Sequence, residues 1–537
     1  MSAKFRRRRR SSADVLPARA AVFSWVTNVR YNTGRSLRCA LHFLPFVLSA
    51  LAFSCHAAGD DLKKQAYEVI DRNAAATAIV GDSLFYFGEL GMQEHESANF
   101  LKQTLEGIGF KVEVGGAGMP TNVWAQWGSG KPKIVIVTEI DALPEGSQDP
   151  DSFPRKPLVA GAPGHMEGHN VHGAVAVAAA FALKQTMERN KLPGTVAISF
   201  GPAEEQLISR PFLVRAGYFK DADAAILVHI GDNMRTTFGL RNYAAISAKF
   251  TFHGKTAHGA VAPWEAKDAL DAVELMSIGF DKLREHLKPT YRGHRVITNG
   301  GIQPNIIPDL AQIWWYVRDS TGPAAKENFD KLVNIGKGAA LMTGTTMDME
   351  FVASAWPQLS NKAMAEAIQQ NIDAVGLPQW SDEDVKFAKD FQTSLGLKPV
   401  GLATQPVKFG AAQQSYSSND SGDVTWNVPT GSLDFAAGIP GVSPHNWQAA
   451  VGKTGPIAHK GALAGAKVLA GSILDLLISP ELLKRVKAQF REDTGGIEYV
   501  SLMPPEAKPP LDMNREMMER VRPEMRKQYL NKIPQFK

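Results

Sequence analysis

Two adjacent carboxylates, Glu204 and Glu205, follow directly on an apolar segment of the chain. Carboxylates at the end of a buried strand are costly unless a positive charge lies beside them, and a metal ion is the usual compensation. Three histidines stand where they could complete such a site: His169, His229 and His445. If one carboxylate binds metal while its neighbour transfers protons, the set could carry out metal-assisted hydrolysis. Taken singly, the same residues are also compatible with a solvated helix cap and with core histidines.

Apolar runs separated by helical segments predict the α/β sheet that would position these residues. The predicted strands are 133–137, 195–200 and 224–228, and an Ala-rich helix is predicted over 173–188. Ligands of such sheets bind at the carboxyl ends of the strands, where Asp141, Glu204, Glu205 and His229 all fall. Asp141 is expected to orient a metal-bound histidine, although it could simply cap a turn.

The pattern changes after residue 242. Strands are predicted at 244–252, 295–299, 311–317 and 347–352, with helices at 265–287 and 324–341. The order βαββαβ is typical of a small ferredoxin-like sheet. Because His445 must return to the first sheet, this segment is predicted to be an inserted domain. The predicted divisions are a leader (1–58), a catalytic domain in two parts (59–242 and 356–478), the inserted domain (243–355) and a wrapping tail (479–537).

The inserted segment has its own candidate residues. His258 stands in a glycine-flanked loop, and Asn305 follows a glycine pair. Arg318 ends a predicted strand, and its planar guanidinium matches a carboxylate. Asn305 and Arg318 are therefore a candidate clamp for a carboxylate, with a plain turn and a surface charge as the alternative.

Composition describes an ordinary globular protein of two or more domains, with 537 residues, 44% of them hydrophobic and 21% charged. The net charge of +5 is concentrated in the leader, because residues 1–58 hold ten basic residues and one acidic residue. The remainder holds 49 basic and 53 acidic residues, for a net charge of −4. Nothing in this balance suggests a nucleic-acid partner.

The leader itself predicts export. Arginines precede an apolar stretch over 40–53, and small residues at 57–58 could form a cleavage site. We expect a periplasmic or secreted protein with no stable membrane span in its mature form. A retained anchor, lipid attachment at Cys55 and a cytoplasmic location stay open. Both cysteines, Cys39 and Cys55, lie in the leader, so the mature chain would have no disulfide framework and no catalytic cysteine.

Six short motifs occur in an order typical of one enzyme family. They are Asp141-Ala142-Leu143-Pro144, Gly168-His169-Asn170, Pro202-Ala203-Glu204-Glu205, Lys255-Thr256-Ala257-His258, Pro304-Asn305 and Pro444-His445. Together they resemble the metallo-aminoacylase and carboxypeptidase family of two-domain amidohydrolases, over about residues 63–472. This family includes hippurate hydrolases, auxin-conjugate hydrolases and aminobenzoyl-glutamate utilisation proteins, and the stretches 378–389 and 418–426 are most similar to the last group.

The resemblance implies a metallopeptidase-like α/β catalytic domain, with a mixed sheet flanked by helices, and an inserted ferredoxin-like α+β lid domain through which a homodimer forms. It implies two divalent metal ions per subunit, Zn²⁺ or Mn²⁺, with Glu204 as the general base. The implied metal ligands are Glu205, His169, His229 and His445. His258 of a neighbouring subunit would stabilise the oxyanion, and the substrate carboxylate would be held by Asn305 and Arg318, together with His294.

One position departs from the resembled pattern. Where that subfamily has a cysteine two residues before the first ligand histidine, this chain has Glu167. A set of Glu167, Glu205 and three histidines offers only oxygen and nitrogen, which suits Zn²⁺ or Mn²⁺. The loop 206–209 also lacks the usual glycines, and we expect this to reshape access for the substrate.

The sequence favours a metal-dependent amidohydrolase that cleaves N-acyl or N-aroyl amino acids, or small dipeptides, beside a free carboxylate. A catalytically silent homologue that binds peptides or conjugates is the first alternative, motivated by Glu167 and the altered loop. An amide substrate without a carboxylate is the second.

Overall fold

The structure is a computed structural model, and it describes residues 59–537. The predicted leader, its cleavage site and both cysteines lie outside these residues. The strands are β1 Lys111–Val114, β2 Val123–Ser129, β3 Lys133–Glu139, β4 Gly194–Gly201, β5 Ala224–Gly231, β6 Thr237–Leu240, β7 Ala244–His253, β8 Arg292–Asn299, β9 Leu310–Asp319, β10 Thr346–Ala355, β11 Leu359–Ser360, β12 Gly410–Ala411 and β13 Thr430–Ala436. The helices are α1 59–72, α2 Ala74–Phe87, α3 His95–Gly107, α4 His169–Asn190, α5 Ser209–Arg215, α6 Ala269–Leu283, α7 Gly322–Thr343, α8 Lys362–Val375, α9 Asp382–Ser394, α10 Gly422–Thr425, α11 Pro456–Ile478, α12 Pro480–Asp493 and α13 Arg515–Met525.

A mixed sheet of six strands carries the first part of the chain, in the order β1-β2-β4-β3-β5-β13. β3, β4, β5 and β13 run parallel, whereas β1 and β2 pair antiparallel at one edge. Every residue of β3 and β4 is buried, as predicted for strands covered on both faces. Four parallel strands therefore end at the same edge of the sheet, where their loops meet.

Helices α4 and α11 pack against each other and against this sheet. α4 is rich in alanine, so its backbone can approach its neighbours closely. α11 is long and apolar enough to cross a membrane, but 78% of its apolar window is buried within the protein. It contacts α8 and β13 in the same hydrophobic core. Its apolar character is accounted for by this core position.

A second sheet of four antiparallel strands, ordered β10-β7-β9-β8, has α6 and α7 packed against it. It has its own core, which includes Phe250, Phe280 and Trp315. The predicted order βαββαβ is confirmed. The predicted helix 265–287 is too long, because α6 begins only at Ala269, where Asp268 accepts a hydrogen bond from the Leu270 N–H at 2.8 Å. Such a cap satisfies the first amide groups of a helix and fixes its start.

The chain after α11 packs back on earlier parts of the chain. The Tyr499 hydroxyl donates to Asp423 Oδ1 at 2.6 Å, and the ring of Phe536 packs on that of Phe181. The limits of the domains, including the tail, stay a prediction. The sheets nevertheless show how the elements position the residues identified above.

Candidate metal centre

The carboxyl edge of the central sheet brings the strand-end residues together. Asp141 follows β3, Glu204 and Glu205 follow β4, and His229 lies near the end of β5. These strands are neighbours in the sheet, so the rule that parallel strands present their ligands at one edge holds here.

A strained turn orients the two adjacent carboxylates. Residues Glu204–Gln206 form one turn of 3₁₀ helix, preceded by Ala203 at φ 53° and followed by Leu207 at φ 63°. Left-handed backbone in a residue other than glycine costs roughly 1–3 kcal/mol and persists where the surroundings hold it. Here the Ala203 N–H donates to the buried carboxylate of Glu94 at 2.8 Å. The turn leaves Glu204 only 5% exposed.

Asp141 contacts two of the site residues, the histidine expected from the sequence and also Glu205. His169 opens α4, and its Nδ1 lies 2.9 Å from the backbone oxygen of Asp141 and 3.2 Å from Oδ1. The Glu205 N–H donates to the other carboxylate oxygen of Asp141 at 3.0 Å. These contacts direct His169 Nε2 into the cluster of glutamates. That nitrogen is buried and makes no hydrogen bond within residues 59–537.

Glu167 stands between two groups of donor atoms. Its Oε2 is 3.6 Å from His229 Nε2 and 3.8 Å from His169 Nε2. Its Oε1 is 3.0 Å from His445 Nε2, on the other side. His445 Nε2 in turn lies 3.4 Å from Glu205 Oε2. One carboxylate oxygen of Glu167 therefore faces each group.

These donors fit two divalent cations. Within each group (Glu167 with His169 and His229, and Glu167 with Glu205 and His445) the donor atoms lie within 4.8 Å of one another. Donors of a tetrahedral zinc ion are roughly 3.3 Å apart, given its usual bond lengths. The buried, unpartnered Nε2 of His169 is well suited to such an ion. Imidazole nitrogen and carboxylate oxygen are ligands for both Zn²⁺ and Mn²⁺.

Crowding of carboxylates perturbs protonation at this centre. Burial raises the pKa of Glu204 well above its usual range, and the charges of Glu139 and Glu205 add to the shift. Burial also raises the pKa of Glu205 to about 8. Burial opposes protonation of His169, but its hydrogen bond to Asp141 and the charges nearby outweigh this and raise its pKa to about 10. Cations among these side chains would relieve the repulsion between them.

A fully buried network of ion pairs stabilises the turn that carries Glu204 and Glu205. Arg210, on α5, lies 2.9 Å from Glu139 and 3.3 Å from Asp420, and all three side chains are inaccessible to solvent. Ser209 donates to Asp420 at 3.0 Å. Buried charges are stable only when paired and hydrogen-bonded, so this network fixes the loop that carries Glu204.

The centre opens onto a cavity of about 520 Å³ between the two sheets, which we call cavity 1. Arg318 and His294 from the inserted sheet line it, and so does Leu207 from the loop that lacks glycines. Arg318 donates to Ser418 Oγ at 2.6 Å and, within the described residues, has no carboxylate within 4.0 Å. Arg241 also lines cavity 1, but Asp434 pairs with it at 3.0 Å.

Two of the residues predicted to act at the site, His258 and Asn305, do not line cavity 1 of their own chain. His258 and Asn305 lie together in exposed loops of the inserted sheet, where the Gly259 N–H donates to the Asn305 backbone oxygen at 2.9 Å. Neither residue lines cavity 1. The predicted clamp of Asn305 and Arg318 is therefore not formed by a single copy of the chain.

Several residues of the site were missed from the sequence. Glu139 could have been found, because it stands two residues before Asp141 at the same strand end. Arg210 and Asp420 gave no such signal, since their pairing joins segments 210 residues apart. Lys453, which lies close to Glu167, was also missed. Burial lowers the pKa of Lys453 to about 8, against the opposing effect of the Glu167 charge.

An α/β fold with a cluster of histidines and glutamates at the carboxyl edge of its sheet is the arrangement expected of a metal-dependent hydrolase. The chain belongs to peptidase family M20/M25/M40, whose sequence profile matches residues 135–425. The resemblance found from the short motifs and the expected fold class are both confirmed.

Individual relatives cover most of the chain. It is 32% identical to one of the subunits of the p-aminobenzoyl-glutamate hydrolase of Escherichia coli, over 80% of this chain and 95% of that protein. It is 28% identical to the Xaa-Arg dipeptidase of Mus musculus, over 80% of this chain and 92% of that protein. Among solved structures, the Bacillus subtilis YXEP protein, a dinuclear metal binding peptidase from the M20 family, shares the fold. Its TM-score is 0.50 at 18% identity, over 76% of this chain and 99% of that one.

Proposed function

We propose that this protein hydrolyses the amide bond of N-acyl or N-aroyl amino acids, or of small dipeptides, that carry a free carboxylate. One observation carries the proposal: a centre built around Glu167 opens onto a cavity that contains Arg318, a guanidinium without a carboxylate partner among residues 59–537. The aminobenzoyl-glutamate hydrolase and dipeptidase names of two relatives support the same class of substrate.

Two divalent cations, Zn²⁺ or Mn²⁺, are proposed to be held by Glu167, His169, Glu205, His229 and His445. When bound, they would polarise the substrate carbonyl and lower the pKa of the attacking water. Glu204 accepts a proton from this water as its oxygen attacks the carbonyl carbon. When the C–N bond breaks, Glu204 delivers the proton to the leaving amine nitrogen. The burial of Glu204, 3.9 Å from His169 Nε2, supports this role.

The substrate carboxylate is proposed to bind Arg318. A guanidinium donates two parallel hydrogen bonds to a carboxylate, and Arg318 is held with its charge over the ring of Tyr316, 5.4 Å from the centroid. His294 lies on the same wall of cavity 1, and burial together with the charges of Arg318 and Arg292 lowers its pKa. A neutral His294 could donate one further hydrogen bond to the carboxylate.

The test is hydrolysis of benzoyl-glutamate after Zn²⁺ or Mn²⁺ is supplied, in wild type and in Arg318→Ala. We expect metal-dependent hydrolysis by wild type. In Arg318→Ala we expect KM to rise about 10- to 100-fold with kcat little changed, because a hydrogen-bonded charge pair with the substrate is lost. Steady-state kinetics on the two proteins measure both quantities.

Arg295→Ala is the matched control. Arg295 lies on β8 of the same sheet and pairs with Asp281 at 2.6 Å, outside cavity 1. The KM of the Arg295→Ala variant should equal that of wild type. An unchanged KM in Arg318→Ala would instead favour substrates without a carboxylate, and no turnover by metal-loaded wild type would favour a silent binding protein.

His258 and Asn305 are proposed to act in the cavity of a second copy of the chain, with His258 as an oxyanion donor. β8 is an edge strand of the inserted sheet, and its Val296 and Ile297 are 55% and 46% exposed. Exposed apolar side chains on an edge strand suit pairing with the same strand of another copy. Association with a different protein is the alternative, since the Escherichia coli relative is named as one subunit of a hydrolase.

Mixing two inactive variants tests this arrangement. In a dimer of one His258→Ala chain and one Glu204→Gln chain, one site carries both changes and the other carries neither. Random exchange between the two should therefore restore about a quarter of wild-type activity. Activity no greater than the sum of the separate variants would show that His258 does not serve a neighbouring copy.

A further inference from the structure

A second cavity adjoins the metal centre. It has a volume of about 290 Å³, and we call it cavity 2. Glu167 and His229 line both cavities, so the two meet at the proposed metal ligands. If the substrate carboxylate lies at Arg318 in cavity 1 and the scissile carbonyl lies at the centre, cavity 2 offers the acyl portion a site directly beside the centre.

Cavity 2 has both apolar and polar walls, and its charged lining residues are Glu167, Asp232, Arg235 and Lys453. Side chains from the end of β5, from α9 and from the loops on either side of His445 contribute apolar walls, including Ile230, Phe391, Ile439, Val442 and Val451. Such a surface suits a hydrocarbon or aromatic group. Arg235 at its edge is already paired with Asp434, at 2.9 Å.

The wall of cavity 2 also contains a buried lysine, Lys453. Lys453 is only 7% exposed, yet within residues 59–537 its ammonium has no hydrogen-bond or ion-pair partner. Its stem packs on Gly168, where an added Cβ would lie 3.2 Å from Lys453 Cε. Because Gly168 also has φ 75°, this position admits glycine and little else. The packing holds the ammonium in cavity 2, beside the segment that carries Glu167 and His169.

We propose that cavity 2 binds the acyl portion of the substrate and that Lys453 selects acyl groups with a hydrogen-bond acceptor, and without a free amino group, next to the scissile carbonyl. This inference rests on the proposed function and narrows it to N-acyl and N-aroyl amino acids rather than free dipeptides. A buried ammonium donates well to a carbonyl, hydroxyl or carboxylate oxygen. The same ammonium repels the charged α-amino group that a dipeptide would place nearby.

Three compounds of one skeleton test the proposal. Each links 3-phenylpropanoic acid to glutamate, with hydrogen, hydroxyl or ammonium on the carbon next to the scissile carbonyl; the last is phenylalanyl-glutamate. For wild type, we expect kcat/KM to be about 100-fold lower for the ammonium compound than for the hydroxyl compound, because like charges meet in a buried site. In Lys453→Met, which keeps the unbranched stem as far as Cε and removes the ammonium, the ratio should fall below about tenfold.

The same compounds are titrated by calorimetry against Glu204→Gln, with and without Lys453→Met, so that binding is measured without hydrolysis. A binding preference that disappears with Lys453→Met supports the proposal. If Glu204→Gln binds with this preference but wild type hydrolyses none of the compounds, the proposed function fails while the recognition site stands. An unchanged preference in Lys453→Met overturns the inference. Loss of bound metal in Lys453→Met, measured by mass spectrometry, would also overturn it, because Lys453 would then be a positioning residue for Glu167.

A second variant does not depend on removing the buried lysine. Val442→Trp places a large ring in cavity 2 from its partly exposed wall. It should lower kcat/KM for the phenylpropanoyl compound about tenfold more than for acetyl-glutamate, whose acyl group is small. Equal effects on both compounds would show that the acyl group lies elsewhere.

Discussion

Glu204→Gln should abolish hydrolysis while metal stays bound. Glutamine keeps the shape of the side chain but cannot accept a proton from water, so we expect kcat to fall by about 10³-fold or more. The buried position of Glu204 and its distance of 3.9 Å from His169 Nε2 place it beside the metal ligands without making it one of the proposed set. Turnover of benzoyl-glutamate and metal content by mass spectrometry, on the same sample, measure the two effects separately.

Glu188→Gln is the control for this experiment. Glu188 is a surface carboxylate on α4, about half exposed and 3.0 Å from Lys184. Its removal should change neither turnover nor metal content. Near wild-type turnover in Glu204→Gln would assign the proton transfer to another group, and loss of metal would make Glu204 a ligand.

The strand-end residues could be predicted because their placement follows from local pattern and topology. A buried parallel strand shows as a continuous apolar run, and the residue after it lies at the ligand-binding edge of the sheet. Asp141, Glu204, Glu205 and His229 could therefore be placed together from the sequence. No knowledge of which strands are neighbours was needed, since all four parallel strands end at the same edge.

Features fixed by long-range packing could not be predicted in this way. β13 was missed although it pairs with β5 over its whole length. Its residues, Thr430–Ala436, mix glycine, serine and aspartate with the apolar residues, and it is buried only by helices from other parts of the chain. The burial of the Arg210 and Lys453 side chains could not be predicted from the sequence for the same reason. Each is buried beside charges that are distant in sequence, and no local pattern distinguishes them from surface residues.

Glu167 was singled out because it departs from the resembled pattern, and the structure gives this departure a geometric meaning. A carboxylate has two oxygens, and those of Glu167 face His229 and His445 on opposite sides, at 3.6 and 3.0 Å. A thiolate would offer one sulfur to both ions. If two cations bind as proposed, Glu167 would be placed to contact both of them. It would then do so with carboxylate oxygens in a chain whose two cysteines both lie before residue 59.

Glu167→Ala should consequently remove both metal binding and hydrolysis. Losing the one residue shared by the two groups of donors leaves each with two protein ligands, fewer than the three that a catalytic zinc site usually has. We expect metal content to fall from about two ions per chain to one or none, and hydrolysis to fall by about 10³-fold. Metal analysis by mass spectrometry, beside the hydrolysis assay, measures both.

The Glu167→Cys variant shows whether the centre needs a ligand at position 167 or needs a carboxylate in particular. Cysteine restores a donor that can contact two ions, so this variant should recover metal binding and part of the activity that Glu167→Ala loses. Glu188→Ala, at the surface of α4, controls for removal of a carboxylate elsewhere. If Glu167→Ala kept two ions and full turnover, the other four proposed ligands would suffice. The carboxylate of Glu167 would then serve to balance charge at the centre rather than to join its two halves.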